Sequence, residues 1–180
     1  EFRRVLFRSF KVDKYEFSVE AYHRNMRNLI DFRSGAVLIL NEALEQSVLN
    51  TDGRAYGAEF LLRKNQGKLS GWVSYTYSRS LLRTAAAETA EKINNGEWYP
   101  SNFDQPHNVV LVTNYAWSRR FSTSLLGNYS TGRPITLPVA KFSYGGSERV
   151  YFSERNAYRI PDYFRLDFSI NIEGNHKMRK

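Results

Sequence analysis

Three histidines are the side chains of this sequence best suited to acid–base catalysis or metal binding. His23, His107 and His176 lie far apart along the chain, and none has a second ligand at the short spacing that a zinc site needs. Asp104 precedes His107 by three residues, but such a pair more often fixes a turn than performs catalysis. The chain has no cysteine, which argues against a thiolate metal site or a cysteine nucleophile. We therefore predict no enzymatic activity, no cofactor and no metal site.

Aromatic residues in one long connection are the best candidates for ligand binding. Residues 95–108, NGEWYPSNFDQPHN, place aromatic side chains among Gly, Pro, Asn and Asp, a composition typical of an exposed loop. Exposed aromatic side chains stack on sugars and apolar ligands. Alternatively, they pack the loop against its neighbours and hold it over the rim of the structure, and we favour this second interpretation. The candidate ligand-facing residues are Trp98, Tyr99, Phe103, Asp104 and His107.

The elements that position this loop are predicted to be β-strands. Aromatic residues make up 15% of the chain, with 12 Tyr and 12 Phe, yet the mean hydropathy is −0.54. Many aromatic residues in a polar average indicate sheets with one apolar and one polar face. No apolar stretch approaches the roughly 20 residues of a membrane helix, whereas the alternating strands of a membrane β-barrel average out to polar. The composition excludes a helical membrane protein and is compatible with a β-barrel.

The charge pattern does not favour a nucleic-acid partner. The formal net charge is +8, but the basic residues are scattered along the chain. A nucleic-acid groove combines clustered basic residues with stacking aromatic residues, and no such cluster occurs in the sequence. We therefore predict no binding to nucleic acid.

Apolar and polar residues alternate in six segments, which are the predicted strands. The clearest is YFRLDFSINI, in which apolar side chains at even-numbered positions alternate with polar side chains from residue 165 onward. The predicted strands are Tyr15–Asn25, Arg54–Lys64, Leu69–Arg79, His107–Trp117, Phe121–Ser130 and Tyr163–Ile172.

Short and long connections alternate between the predicted strands. Residues 65–67 and 118–120 form tight turns, whereas residues 26–53, 80–106 and 131–162 form connections of about 25 to 32 residues. Loops of that length are uncommon in a compact soluble domain, but outer-membrane barrels combine short periplasmic turns with long extracellular loops. About ten residues also suffice for a tilted strand to cross the hydrocarbon core. We predict an all-β fold: an antiparallel up-and-down meander of about six strands of a larger transmembrane β-barrel, open and incomplete in this chain.

Four segments carry a family resemblance. In this order along the chain they resemble the barrel of TonB-dependent outer-membrane receptors, particularly the Bacteroidetes type. The resemblance covers residues 12–172 and depends on the ordered set, because each segment alone is weakly specific. The segments are DGRAYGAEFLLRKNQGKLSGWVSYTYSRS (52–80), NNGEWYPSNFDQPHNVVLVTNY (94–115), STGRPITLP (130–138) and NAYRIPDYFRLDFSI (156–170).

The resemblance implies a function. Such receptors have a barrel of about 22 strands with an N-terminal plug domain inside it. They take up scarce ligands, such as siderophores, cobalamin, glycans or peptides, with energy relayed from the inner membrane. The implied partners are outer-membrane lipid, TonB with its inner-membrane energising complex (through the plug), and a surface lipoprotein. The implied location is the outer membrane of a Gram-negative bacterium.

A barrel also predicts which side chains face lipid and which face the lumen. A charged residue in the middle of the lipid-facing side is unfavourable, so the apolar sets should face outward. The predicted lipid-facing residues are Phe17, Val19, Phe60, Val73, Tyr75, Phe168 and Ile170, and the predicted lumen-facing residues are Glu59, Ser74, Thr76, Arg165 and Asp167.

The first nine residues are expected to be foreign to the protein. EFRRVLFRS is the translation of GAG TTC AGA CGT GTG CTC TTC CGA TCT, which resembles the tail of a common short-read sequencing adapter. The predicted organisation is therefore an assembly artefact at residues 1–9, followed at residues 10–180 by a partial receptor barrel. We expect this barrel segment to be truncated at both ends and to lack its plug.

Two other functions are compatible with the sequence. One is a passive porin or adhesin-type barrel without energy coupling, which a plug and a coupling motif in the complete gene would exclude. The other is a soluble carbohydrate-binding β-sandwich, which solubility without detergent would favour.

Overall fold

The computed structural model describes residues 2–33, 44–85 and 92–174. Leu44–Ser47 and Ile93–Gly96 form short 3₁₀ turns. In these ranges no helix is long and apolar enough to cross a membrane. The strands are β1 (Phe2–Val12), β2 (Tyr15–Phe32), β3 (Val48–Lys64), β4 (Leu69–Thr84), β5 (Tyr99–Pro100), β6 (His107–Ala116), β7 (Phe121–Ser130), β8 (Pro134–Ile135), β9 (Pro138–Tyr144), β10 (Ser147–Phe152), β11 (Tyr158–Arg159) and β12 (Tyr163–Ile172).

The long strands form one open antiparallel sheet. Its order is β1-β2-β3-β4-β6-β7-β12, and β5 pairs with the end of β4. Strands that follow one another in the chain are neighbours in the sheet, with two exceptions: β6 pairs with β4 and not with β5, and β12 joins β7 after the connection that contains β8 to β11. This confirms the predicted fold class, an open antiparallel meander, and all six predicted strands are present.

Three strands are longer than the alternation predicts. β2, β3 and β4 contain 18, 17 and 16 residues, more than the nine to eleven that cross a bilayer. The alternation in β2 is interrupted where its register with β3 shifts between Met26 and Leu29. Asn28 in this irregularity has a φ of 58°, which asparagine tolerates better than most residues. Because the bulge breaks the alternation of apolar and polar residues, the alternation does not predict that the strand continues to Phe32.

A hairpin lies in the connection of residues 131–162. No strands were predicted in this connection from the sequence. β9 and β10 pair through a turn at Gly145 and Gly146, whose φ values are 60° and 76°. Two consecutive positive φ values suit a two-residue hairpin turn, and glycine adopts them without steric cost. β8 and β11 form a second short pair at the base of the hairpin.

The register gives the main sheet two chemically different faces. Cross-strand partners lie on the same face, so the row Val19, Phe60, Tyr75, Val109 and Tyr129 belongs to one face. The next row along the strands, which contains Glu59 and Thr76, belongs to the other. We call these the apolar face and the polar face. The seven predicted lipid-facing residues all lie on the apolar face, and the five predicted lumen-facing residues all lie on the polar face.

Strand β1 pairs with β2 and follows this division only in part, with Leu6, Phe10 and Val12 on the apolar face. Arg8 pairs with Val19 and therefore lies on the apolar face. Phe7 pairs with Glu20 and lies on the polar face. The side chains of Phe7 and Arg8 are both exposed.

Candidate functional site

Tyr99 anchors the loop before β6 to the polar-face side of the sheet. β5 pairs with the end of β4, and Tyr99 lies opposite Leu82. The Tyr99 side chain is only 1% exposed and packs with Leu49, Ile93 and Leu82. Its hydroxyl donates a hydrogen bond of 2.7 Å to Asp31 Oδ2. Burial, and then the neighbouring Asp31 carboxylate, raise the pKa of Tyr99 well above its usual value.

Asp31 joins this anchor to the connection between β7 and β12. Arg155 Nη1 donates to Asp31 Oδ1 at 2.9 Å, and Arg155 Nη2 donates to the Phe32 carbonyl oxygen at 2.7 Å. The backbone N–H of Arg155 donates to Asn94 Oδ1 at 2.8 Å, and Asn94 Nδ2 donates to the Arg155 carbonyl oxygen at 3.0 Å. We call Tyr99, Asp31, Arg155 and Asn94 the Tyr99 cluster. It connects three segments that are distant in sequence.

Asp104 forms a second buried junction. It is 1% exposed, and its Oδ1 accepts hydrogen bonds from the Ser80 backbone N–H at 2.7 Å and Arg79 Nε at 3.1 Å. Its Oδ2 accepts a hydrogen bond from Arg159 Nη2. Arg159 Nη1 also donates to the carbonyl oxygens of Asp104 and Gly132, at 2.7 and 2.9 Å. We call Asp104, Arg79, Ser80 and Arg159 the Asp104 cluster. Because the carboxylate is buried and accepts several hydrogen bonds, it holds these segments together.

The connection also contacts the start of β12 through an exposed carboxylate. Asp162 Oδ2 accepts a hydrogen bond of 2.5 Å from the Tyr129 hydroxyl, and Asp162 Oδ1 accepts one of 2.9 Å from the Gly132 backbone N–H. The Tyr129 hydroxyl first, and then the Gly132 N–H, lower the pKa of Asp162 below its usual value. These bonds hold residue 132 beside the end of β7.

His107 and Phe103 lie nearer the surface of the same loop. The Tyr75 hydroxyl and His107 Nδ1 are hydrogen-bonded at 2.9 Å, and the His107 ring lies 5.5 Å from the Tyr77 ring. The candidate pair of Asp104 and His107 therefore does not form: Asp104 binds Arg79 and Arg159, and His107 binds Tyr75. Phe103 is 80% exposed.

Trp98 lies on the opposite side of the sheet from Tyr99. Arg54 and Arg83 belong to the apolar face by register, and their guanidinium carbons lie 4.5 and 4.8 Å from the centre of the Trp98 ring. Cation–π contacts at exposed sites contribute about 0.5–1 kcal/mol each. Trp98 therefore faces away from the polar-face side, where a ligand in the lumen would approach.

A recess of about 1250 Å³ lies at the loop end of the sheet, on the polar-face side with Asp31. The hairpin of β9 and β10 forms one wall, with Phe142, Arg149 and Tyr151 on the same hairpin face. The other charged residues of the lining are Arg33, Lys92 and Arg155, together with the carboxylates Asp31 and Glu154. Aromatic surface beside positive charge can bind a ligand with an apolar body and polar or anionic groups. The sequence-based candidates did not include this wall, although two glycines between VAKFSY and SERVYF, which contain residues favoured in strands, indicate a hairpin.

The five predicted ligand-facing residues thus have different environments. Tyr99 and Asp104 lie inside the two clusters and not at the loop surface, because each forms buried hydrogen bonds between segments. This agrees with the alternative interpretation, in which the loop packs against its neighbours. Trp98 lies on the apolar-face side, whereas Phe103 and His107 are exposed. A role of these residues in ligand binding stays a prediction.

Within the described ranges, no group of three or more His, Asp or Glu side chains is arranged to hold a metal ion.

An open antiparallel sheet with one apolar face, one polar face and long connections at one end is the architecture of a β-barrel wall. The family model for the TonB dependent receptor-like β-barrel matches residues 5–178. The chain therefore belongs to this family of outer-membrane receptors of Gram-negative bacteria, which are transporters and not enzymes. No curated protein and no solved structure matches the chain.

Proposed function

We propose that this chain is part of an active-transport receptor, which captures a ligand with its extracellular loops. The ligand then passes through a plugged barrel that is energised by TonB and its inner-membrane complex. The observation that supports this proposal is the recess beside the β9–β10 hairpin. It lies at the loop end of the sheet, on the polar-face side, where a ligand entering the lumen would be held.

The two faces support the proposed orientation in the membrane. The apolar face carries Phe60, Val73 and Phe168, which suit contact with lipid, and the polar face carries Glu59 and Asp167, which suit a lumen. In this orientation the turns at residues 65–68 and 117–120 are periplasmic. The connections that form the Tyr99 and Asp104 clusters are extracellular.

The two clusters give the recess a fixed frame. Each cluster joins residues that are more than 50 positions apart, such as Asn94 with Arg155 and Asp104 with Arg159. A ligand that contacts the recess then meets positioned side chains, which lowers the entropic cost of binding. Tyr99 and Asp104 therefore support ligand capture by holding the loops in place.

We further propose a receptor of the Bacteroidetes type that works with a surface lipoprotein. This proposal is supported by the order of the four resembling segments, from DGRAYG to the NAYRIPDYF segment. Co-purification of the complete receptor from its native outer membrane tests it, because a stoichiometric lipoprotein is expected. Recovery of the receptor alone would contradict it.

We also propose that Glu1–Ser9 is a sequencing artefact. Its side-chain pattern supports this, because Arg8 lies on the apolar face beside Val19, although the family match begins at Val5. Long-read sequencing of the locus should show a different segment before Phe10, with an apolar residue where Arg8 pairs with Val19. A genomic sequence that encodes EFRRVLFRS would refute the proposal.

Energy coupling is tested in cells that express the complete receptor gene. Uptake of siderophore, cobalamin, glycan and peptide probes is measured with and without TonB. The proposal predicts that at least one probe accumulates and that its uptake stops without TonB. Uptake that continues without TonB would support a passive porin instead.

The recess is tested with variants of one hairpin face. Tyr151→Ala with Arg149→Gln should weaken binding of the transported probe by about tenfold or more, the loss typical of removing a central aromatic or arginine anchor. Tyr144→Ala is the matched control, because Tyr144 shares this hairpin face but does not line the recess. Equal affinity of the double variant and the control would place the binding site elsewhere.

A further inference from the structure

Arg54, Trp98 and Arg83 form a cationic site on the outer wall of the sheet. Both guanidinium groups lie over the Trp98 ring, at 4.5 and 4.8 Å from its centre. Arg54 and Arg83 are exposed, so their remaining N–H donors are accessible from outside. Because stacking on the indole limits the side-chain motion of both arginines, the donors are held close together before any ligand binds.

The register places this site just beyond the band of apolar residues. On β3, Tyr56 and Arg54 are successive positions on the apolar face, and Tyr56 is closer to Phe60. Two strand residues advance about 7 Å along the strand, which is about 5 Å in height for a strand tilted near 45°. Tyr56 and Tyr77 are the kind of aromatic residues that mark the membrane interface. Arg54 therefore lies at the level of the lipid headgroups, which extend about 5–8 Å beyond the hydrocarbon core on each side.

Among the described residues that contact this site, two are cationic and one is anionic. Asp52 lies opposite Arg83 on the same face, and its Oδ2 accepts a hydrogen bond of 3.4 Å from Arg83 Nη2. The neighbour of Arg54 across the strand pair is the neutral Asn25. On the side nearer the apolar band, Arg79 also lies on this face and is bound to Asp104. Within the described ranges, one carboxylate is thus hydrogen-bonded to the pair of guanidinium groups at Trp98.

We propose that Arg54 and Arg83, held by Trp98, bind a phosphate group of an outer-leaflet lipid. Guanidinium groups bind phosphate oxygens through paired N–H donors, and the site continues the lipid-facing surface upward from Tyr56 and Tyr77. The inference rests on the proposed orientation, in which the apolar face contacts lipid. It assigns Trp98 to lipid binding on the outer wall and not to the transported ligand.

The experiment uses the complete receptor in phosphatidylcholine bilayers that contain lipid A. Bound lipid A is counted by native mass spectrometry, and dephosphorylated lipid A serves as the matched probe without phosphate. The wild-type receptor should retain lipid A but not the dephosphorylated form. The double variant Arg54→Gln/Arg83→Gln should bind lipid A about 25-fold more weakly, since each arginine near a lipid surface contributes about fivefold.

Arg63→Gln is the control, because Arg63 is also an exposed arginine of β3 but lies on the polar face, next to Glu16. It should retain lipid A as the wild type does. Unchanged binding in the double variant, or equal binding of dephosphorylated lipid A, would overturn the lipid site alone. Displacement of lipid A by inorganic phosphate would also overturn it, because the site would then bind a soluble anion. A wild-type receptor that did not insert into bilayers would overturn the proposed orientation as well.

Discussion

Strands β12 and β1 are the two edges of the sheet, and each pairs with its neighbour along its full length. β12 places Phe164, Leu166, Phe168, Ile170 and Ile172 on the apolar face, and its charged residues on the polar face. β1 also places Leu6, Phe10 and Val12 on the apolar face, but it adds Arg8 there and has Val5 and Phe7 on the polar face. Two edges with equally complete backbone pairing therefore differ in how they distribute their side chains.

This difference shows that backbone pairing at a sheet edge and suitability of the side chains for contact with lipid are separate properties. A free sheet edge offers unpaired N–H and C=O groups to any extended segment, so the pairing of β1 is not specific for its sequence. Contact with lipid is specific, because an arginine at the bilayer midplane costs about 2–4 kcal/mol. The side chains of β12 suit a barrel wall along its whole length, whereas Arg8 of β1 does not.

The largest expected effect comes from placing an arginine on the apolar face of β12, as Arg8 lies on that of β1. Phe168→Arg in the complete receptor places a cation near the middle of the apolar face, which costs about 2–4 kcal/mol and should abolish assembly. Assembly is measured by heat-modifiable migration of the receptor from outer-membrane fractions. Ser169→Arg, on the adjacent position of the polar face, is the control and should assemble. If Phe168→Arg reached the outer membrane folded and active, the assignment of the faces would be wrong.

A smaller effect is expected from replacing Arg8, the arginine of β1 that pairs with Val19 on the apolar face. In a receptor that carries residues 1–9 as given, Arg8→Leu should stabilise the folded state in vesicles by up to about 2–4 kcal/mol, because it removes the lipid-facing charge. The urea midpoint of folding into vesicles measures this gain. Lys11→Leu on the polar face is the control and should bring no comparable gain. Equal gains from both variants would mean that β1 does not lie against lipid.

The smallest effect is expected on the polar face of β12. Arg165 Nε donates to Asp167 Oδ2 at 2.7 Å, but Arg165 is exposed and the Asp167 side chain is 43% exposed. Exposed ion pairs contribute little to stability, so Arg165→Gln should leave the urea midpoint within the spread of replicate titrations. A loss as large as that of Phe168→Arg would show that the polar face is buried against another part of the receptor.

The sequence predicted the central strands of the sheet better than the continuation of β2 and the β9–β10 hairpin. Alternation identifies Phe121–Ser130 and Tyr163–Ile172 with the same bounds as the structure, because a two-sided strand has a regular period. The continuation of β2 to Phe32 was missed because the bulge at Asn28 shifts the alternation by one position. The β9–β10 hairpin was missed although two consecutive glycines between strand-favouring residues indicate a hairpin turn.

The two clusters could not be predicted from local patterns. Asp104 meets Arg79 and Arg159, which are 25 and 55 residues away, and Asp31 meets Arg155 across 124 residues. Such pairs depend on where the connections end on the sheet, and the sequence period carries no information about this. The composition of residues 95–108 did indicate an important loop. It did not distinguish the buried Tyr99 and Asp104 from the exposed Phe103.

The most direct test of the barrel-wall account uses the absence of cysteine from this chain. Single cysteines are introduced at each position from 164 to 172 of the complete receptor, spin-labelled, and studied by electron paramagnetic resonance in bilayers. Accessibility to oxygen should be high at the even positions, which face lipid, and accessibility to a water-soluble nickel complex should be high at the odd positions. A profile without this alternation, or with the two faces exchanged, would contradict the account.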